Sequence, residues 1–224
     1  MALDCWVFCD IDGTLLHSPG AGRSAFADAF LEAFGLLPDM SAVNFAGATD
    51  LRVLDQLLRQ ESMVSDQEKQ DHFFECLPRY LDRNMQEAPP LVFPNVKKCL
   101  ERILKSASLG LVTGNIRACA WVKLQHAGLS TYFSEVGGFG DDHADRHQMA
   151  ALALERAGNP SRSFLLGDTP SDIAAAQKNG MVSVAVCNGQ FSRDDLAKSA
   201  PDLILDSFEK ADAFFELLEQ NTET

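Results

Sequence analysis

Five apolar runs of strand length stand at Cys5–Cys9, Leu109–Val112, Phe164–Leu166, Ser183–Val186 and Leu203–Leu205, with a weaker one around Val136. None alternates apolar with polar residues, so each needs cover on both faces, as strands of a parallel sheet do. Helical periodicity fills the segments between them. Val96, Leu100, Ile103 and Leu104 share one face, and Met149, Leu152 and Ala153 share another that ends at Gly158. Ser171 is placed to open a third helix that stops at Gly180, and Phe208, Ala211, Phe215 and Leu218 line a fourth. Strand and helix in alternation predict a Rossmann-like α/β core on a parallel sheet.

The alternation fails between about residue 20 and residue 90, where only helical patterns occur. Phe26, Phe30 and Phe34 recur at i,i+4, as Leu51, Leu54 and Leu58 do at helical spacing, and Ser65-x-x-Glu68 forms a capping box ahead of a helix kinked near Pro78. Pro89 and Pro90 read as a stiff connector back to the sheet. The expected division is a core of residues 1–17 and 90–224 with an all-helical cap, 18–89, inserted after the first strand. The final residues, QNTET, read as a frayed tail.

A formal charge of −13 offers no positive stripe to nucleic acid or an anionic membrane. No apolar run approaches the roughly 18 residues of a membrane span, and the N-terminus lacks a basic region followed by a cleavage site. A soluble cytoplasmic protein, monomer or homodimer, is expected. The six cysteines show no C-x-x-C spacing and read as reduced core thiols. Any anionic substrate needs a local positive focus inside this negative field.

In an open parallel sheet, functional groups gather beyond the carboxyl ends of the strands. Here those ends carry Asp10-Ile11-Asp12-Gly13-Thr14, Thr113-Gly114-Asn115, and Gly167-Asp168 with Asp172 four residues on. Four carboxylates and a threonine hydroxyl around one small volume require a cation. All-oxygen coordination suits Mg²⁺, which also bridges to phosphate.

The motifs Asp10-x-Asp12-Gly13-Thr14-Leu15, Thr113-Gly114-Asn115 and Gly167-Asp168-x-x-x-Asp172, in that order, resemble those of the haloacid dehalogenase superfamily of hydrolases. The helical insertion is similar in position to the cap of its phosphoglycolate phosphatase and β-phosphoglucomutase branch. The resemblance implies a Mg²⁺-dependent phosphatase acting on a small phosphorylated metabolite through an aspartyl-phosphate. Asp10 would be the nucleophile and Asp12 the general acid and base. The metal would be held by the Asp10 carboxylate, the Asp12 main-chain carbonyl and Asp168, with Asp172 completing or orienting the shell. Thr113, Gly114 and Asn115 would bind phosphoryl oxygens, with Gly13, which shapes the turn beside them, as a further phosphate-binding residue. A phosphomutase is the nearest alternative; a haloacid dehalogenase and a non-catalytic binding module fit the acidic cluster less well.

The family's usual lysine before the last motif is missing. Between Asn115 and Gly167 the only lysine is Lys123; Arg117, Arg146, Arg156 and Arg162 are the other cations. Arg146 has the right place in the order of elements and is the favoured catalytic cation. Lys123, about two turns into the helix after Thr113, is the alternative phosphate ligand. His143 and His147 have i,i+4 spacing but lack a third zinc ligand, so they read as loop residues. His17 reads as a hinge residue, Arg23 as a surface or cap-facing residue, and Asp141-Asp142 as solvation for a glycine-rich loop.

Overall fold

The computed structural model describes residues 4–64 and 66–220. In chain order the elements are β1 (Cys5–Cys9), β2 (Leu16–His17), α1 (Ala21–Phe34), α2 (Asp50–Gln60), α3 (Gln67–Glu87), β3 (Leu91–Val92), α4 (Val96–Ile103), β4 (Ser108–Val112), α5 (Arg117–His126), β5 (Gly137–Gly138), α6 (Arg146–Arg156), β6 (Arg162–Gly167), α7 (Pro170–Lys178), β7 (Val182–Val186), α8 (Arg193–Ala197), β8 (Leu203–Leu205) and α9 (Asp212–Glu219).

Six strands form one parallel sheet in the order β5-β4-β1-β6-β7-β8. Val7 of β1 pairs with Leu109 on one side and Phe164 on the other, which is why β1 has no polar face. Its two sheet faces feed two cores. Val7, Cys9, Leu111 and Leu166 pack with Val96, Leu100, Leu124, Phe214 and Leu218, so α4, α5 and α9 cover one face. Phe8, Val112 and Leu165 pack with Met149, Ala153, Ala175 and Ala176, so α6 and α7 cover the other. Because β4 and β6 leave β1 in opposite directions, the chain order reverses at β1, and a crevice opens beyond its carboxyl end.

Helices α1, α2 and α3 bury Phe26, Phe30, Phe34, Leu54, Leu57, Leu58, Phe73 and Leu77 in a separate core. That core also takes in Ile116 and Cys119, so the helical insertion rests on the start of α5. Truncating Phe73, which is fully buried, to Ala would cost about 3–5 kcal/mol. The insertion leaves and rejoins the sheet through a two-stranded antiparallel ribbon, with Leu16 opposite Val92 and His17 opposite Leu91. Strands of two residues carry no readable period, and this ribbon has no trace in the pattern.

Several local expectations change. Thr169, not Ser171, caps α7: its hydroxyl accepts from Asp172 N–H while Asp172 accepts from Thr169 N–H, and Pro170 takes the first helical position. Ser65 lies outside the described residues, and Asp66 caps α3 by accepting from Glu68 N–H at 3.1 Å. α3 runs on through Pro78 to Glu87. Leu57 is buried and Leu51 only half-buried, and Leu104 falls past the end of α4 and is exposed. Residues 221–224 of the expected tail are also outside the described set. All six cysteines are free thiols. No helix among the described residues is long and apolar enough to cross a membrane.

Candidate active site

The site starts where β1 ends. Asp10 N–H donates to Leu166 O at 2.9 Å, extending the ladder one residue and delivering the carboxylate to the crevice. The chain then turns sharply: Leu15 N–H donates to Ile11 O and Gly13 N–H to Leu16 O, both at 2.9 Å. Gly13 has φ +80°, and a Cβ there would lie 2.3 Å from Asp168 Oδ2. No side chain is tolerated on either count. Since its N–H is spent inside the turn, Gly13 supplies no donor to a phosphate and serves Asp168 by making room for it.

Arg146, at the start of α6, reaches this point. Its Nη2 is 2.7 Å from Asp10 Oδ1 and its Nε 2.9 Å from Asp172 Oδ1, with the side chain 4% exposed. Asp172 is held from the other side, its Oδ2 accepting from Thr169 N–H and Oγ1. Asp168 Oδ1 accepts from Thr14 Oγ1 at 3.1 Å. Carboxylate oxygens of Asp10, Asp168 and Asp172 all lie within 4.8 Å of one another. Burial pushes Asp10 up to about 6, against the pull of Arg146 and with Asp172 and Asp12 adding to the rise. Burial, then Asp10 and Asp172, push Asp168 up to about 8.

Three buried carboxylates thus share one guanidinium. Arg146 Nε and Asp172 Oδ1 meet as an ion pair without hydrogen-bond alignment, so neither atom has a hydrogen bond among the described residues. An all-carboxylate donor set with three buried carboxylates to one guanidinium is short of positive charge and fits a hard divalent cation such as Mg²⁺.

Asp12 faces elsewhere. Its Oδ2 lies 2.5 Å from Lys123 Nζ and accepts from Asn115 Nδ2 at 2.9 Å, while Oδ1 accepts from Ser18 Oγ at 3.1 Å. Burial opposes ionisation here, but Lys123 and these hydrogen bonds outweigh it and hold Asp12 below the usual carboxylate range. Asn115 Nδ2 also donates to the buried Thr113 hydroxyl at 2.8 Å. Arg146 and Lys123 therefore both belong to the site, one on each aspartate of the turn.

These groups open on a cavity of about 780 Å³, which Thr113, Gly114, Asn115, Lys123 and Arg146 line from the core and Arg23, Phe26 and residues 45–48 from the insertion. Arg23 donates to Val43 O at 3.1 Å and to Met40 O, and stacks over the Phe45 ring at 4.9 Å. His17 lines the rim from the ribbon. Asp141 and Asp142 are engaged with Arg117 N–H and with Arg156 and Phe139 N–H, away from the cavity. His143 Nδ1 accepts from Asp145 N–H.

Sequence reasoning missed Ser18, Asp50 and the Asn188–Gln190 loop after β7. Asn188 Nδ2 donates to Thr14 O at 3.2 Å, and Gly189 packs directly on Asp168. An Asn-Gly pair just past a strand's carboxyl end was the available signal. Asp50, on α2, accepts from Ile116 N–H at 2.8 Å and is pushed by burial up to about 7.

A carboxylate cluster at the switch point of a parallel sheet, under a helical insertion, stands where α/β proteins of the open-sheet class bind their ligands. The family model described as haloacid dehalogenase-like hydrolase matches residues 7–186, and the chain belongs to that family. It is 30% identical to the "Probable phosphatase IndB" of Dickeya dadantii over 90% of this chain and 89% of that one. It is 25% identical to a phosphoglycolate phosphatase of Vibrio vulnificus over 88% of this chain and 90% of the relative. A solved β-phosphoglucomutase candidate from Bacteroides vulgatus superposes with a TM-score of 0.71 at 17% identity, over 100% of this chain and 92% of that one, a likeness of fold.

Proposed function

We propose that the protein is a Mg²⁺-dependent phosphomonoester hydrolase that forms an aspartyl-phosphate on Asp10. The observation that carries this reading is the division of labour at the turn: Asp10 sits with Arg146 in the acidic cluster, and Asp12, two residues on, is held apart by Lys123. Its curated relatives carry phosphatase names, which supports a small phosphorylated metabolite as substrate.

The Asp10 and Asp168 carboxylates and the Asp12 main-chain carbonyl would hold Mg²⁺, with Asp172 keeping Arg146 in place. When bound, the metal supplies charge neutralisation for a dianionic phosphoryl group. Arg146 keeps Asp10 ionised and aimed, and the Asp10 oxygen attacks phosphorus as the ester P–O bond breaks. Thr113 and the Gly114 and Asn115 amides receive the phosphoryl oxygens. The incoming phosphate's negative charge raises the proton affinity of Asp12, which takes up a proton and passes it to the departing oxygen. Asp12, again a carboxylate beside Lys123, then accepts a proton from water as the water oxygen attacks phosphorus and the Asp10–phosphorus bond breaks.

Residues 18–89 act in this reading as a cap that closes over the cavity, and residues 1–17 and 90–224 as the catalytic core. The test is a panel of phosphorylated metabolites assayed with Mg²⁺ for release of inorganic phosphate. Product analysis on each active compound separates hydrolysis from transfer back to a sugar. Failure to release phosphate from any of them overturns the proposal.

A further inference from the structure

Among the described residues, Asp50 is the buried carboxylate lining the cavity for which the proposed chemistry has no use. It opens α2 and grips the core twice. Its own N–H donates to Gly114 O at 2.8 Å, and its Oδ2 accepts from Ile116 N–H at 2.8 Å. α5 has no side-chain cap of its own at Ile116, so this buried amide at its start is satisfied from the insertion. The approach is close: a Cβ on Gly114 would fall 2.1 Å from Ala48 O. Thr49 Oγ1 adds a longer contact to Ala144 O at 3.4 Å, two residues ahead of Arg146. Residues 48–50 therefore clamp the Thr113–Ile116 turn on its cap-facing side.

We propose that Asp50 is a positioning residue that fixes the phosphoryl-binding turn in its working shape when the helical insertion seats on the core. The reading rests on the phosphatase function above. Its physical basis is that both bonds span the insertion and the turn, so seating the one and shaping the other are a single event. The Ile116 bond satisfies a buried amide that would lose its acceptor without Asp50. A turn displaced by about an ångström at a reacting centre costs on the order of 10²-fold in rate. The loss should fall on kcat more than on KM, because the turn's donors matter most as charge develops on the phosphoryl oxygens.

The experiment compares wild type, Asp50→Ala and Asp50→Asn in steady-state hydrolysis of p-nitrophenyl phosphate with Mg²⁺, and in amide hydrogen exchange at Ile116 with Mg²⁺ and orthovanadate present. Asp50→Ala should lower kcat by about 10- to 100-fold with KM shifted by less than about threefold, and should speed Ile116 exchange at least about tenfold. Asp50→Asn keeps an acceptor oxygen and should restore both readouts most of the way. If Asp50→Ala does not fold, Asp50→Asn decides: retained turnover with a protected Ile116 amide supports the role, and near-complete loss overturns it. Wild-type kcat in Asp50→Ala overturns the positioning role alone. Where wild type does not turn over p-nitrophenyl phosphate, the same comparison is run on an active compound of the metabolite panel, and absence of wild-type turnover on all of them overturns the phosphatase reading and this inference with it.

Discussion

Lys123 Nζ stands 2.5 Å from Asp12 Oδ2 although 111 residues separate them in the chain. Arg146 makes the corresponding bond to Asp10, so the two aspartates of one tight turn are held by different buried cations. Their environments separate them: Asp10 is pushed up to about 6 by burial, while Asp12, which is more exposed, is pulled below the usual range by Lys123 against its own desolvation. The two carboxylates of one turn therefore sit in electrostatically distinct settings, each set by its own cation.

Lys123→Ala should therefore be severe. Without its ammonium, Asp12 loses its charge partner, and turnover should fall by about 10²–10⁴-fold, the range of a lost general acid–base function. Steady-state kinetics with a thermal melt tests this, and a folded Lys123→Ala enzyme near wild-type turnover would remove the assigned role. Arg146→Ala should lose turnover comparably, by freeing Asp10 and leaving Asp172 facing it unscreened.

The contrast between these residues shows what a chain pattern can reveal. Asp10, Asp12, Asp168 and Asp172 were legible because they follow apolar runs whose sheet position is fixed by burial on both faces. Arg146 was legible from its place at the start of a helix. Lys123 was ambiguous because spacing gives its depth along α5 but not the helix's rotation, which is set by burial of Ala120 and Leu124 against the sheet. Asp50 and Ser18 were invisible: the Asp50 contact depends on how the insertion sits on the core, and Ser18 reaches back six residues to Asp12 across a turn, relations without local periodicity.

Asp10→Asn should abolish turnover while leaving the fold intact, because the shape is kept and a buried charge in a crowded acidic cluster is removed. Thermal melting should show no loss of stability. A substantial residual turnover in the folded variant would rule out the aspartyl-phosphate.

Mg²⁺ should stabilise the protein as well as activate it. Asp10, Asp168 and Asp172 repel one another in a buried volume, so an ion that binds only the folded state relieves them. At 100-fold over its dissociation constant, one site contributes about 2.7 kcal/mol, or on the order of 5–10 °C in Tm for a chain of this size. Chelator should reverse both effects. Asp168→Asn should abolish the Mg²⁺-dependent shift, and an unchanged shift in that variant would place the ion elsewhere.

Gly189→Ala tests the loop after β7, which carries no charge of its own. A Cβ at Gly189 would lie 1.8 Å from Asp168 Oδ2, and on the other side Gly13 leaves only 2.3 Å between the same oxygen and its own would-be Cβ. Asp168 is pinned between two glycines and bonded to Thr14 Oγ1, so it cannot move aside without losing that bond. The alanine methyl should therefore displace the carboxylate from the cluster while the sheet and both cores stay as they are. The Mg²⁺ concentration for half-maximal activity should rise about 10–100-fold, as when a metal ligand loses its supporting contacts, with kcat largely recovered at saturating metal. Gly13→Ala should lose stability too, because its φ of +80° strains any side chain. A Mg²⁺ titration of activity, with a melt of each variant, separates the two, and an unaltered half-saturation point in Gly189→Ala would show that Asp168 does not hold the ion.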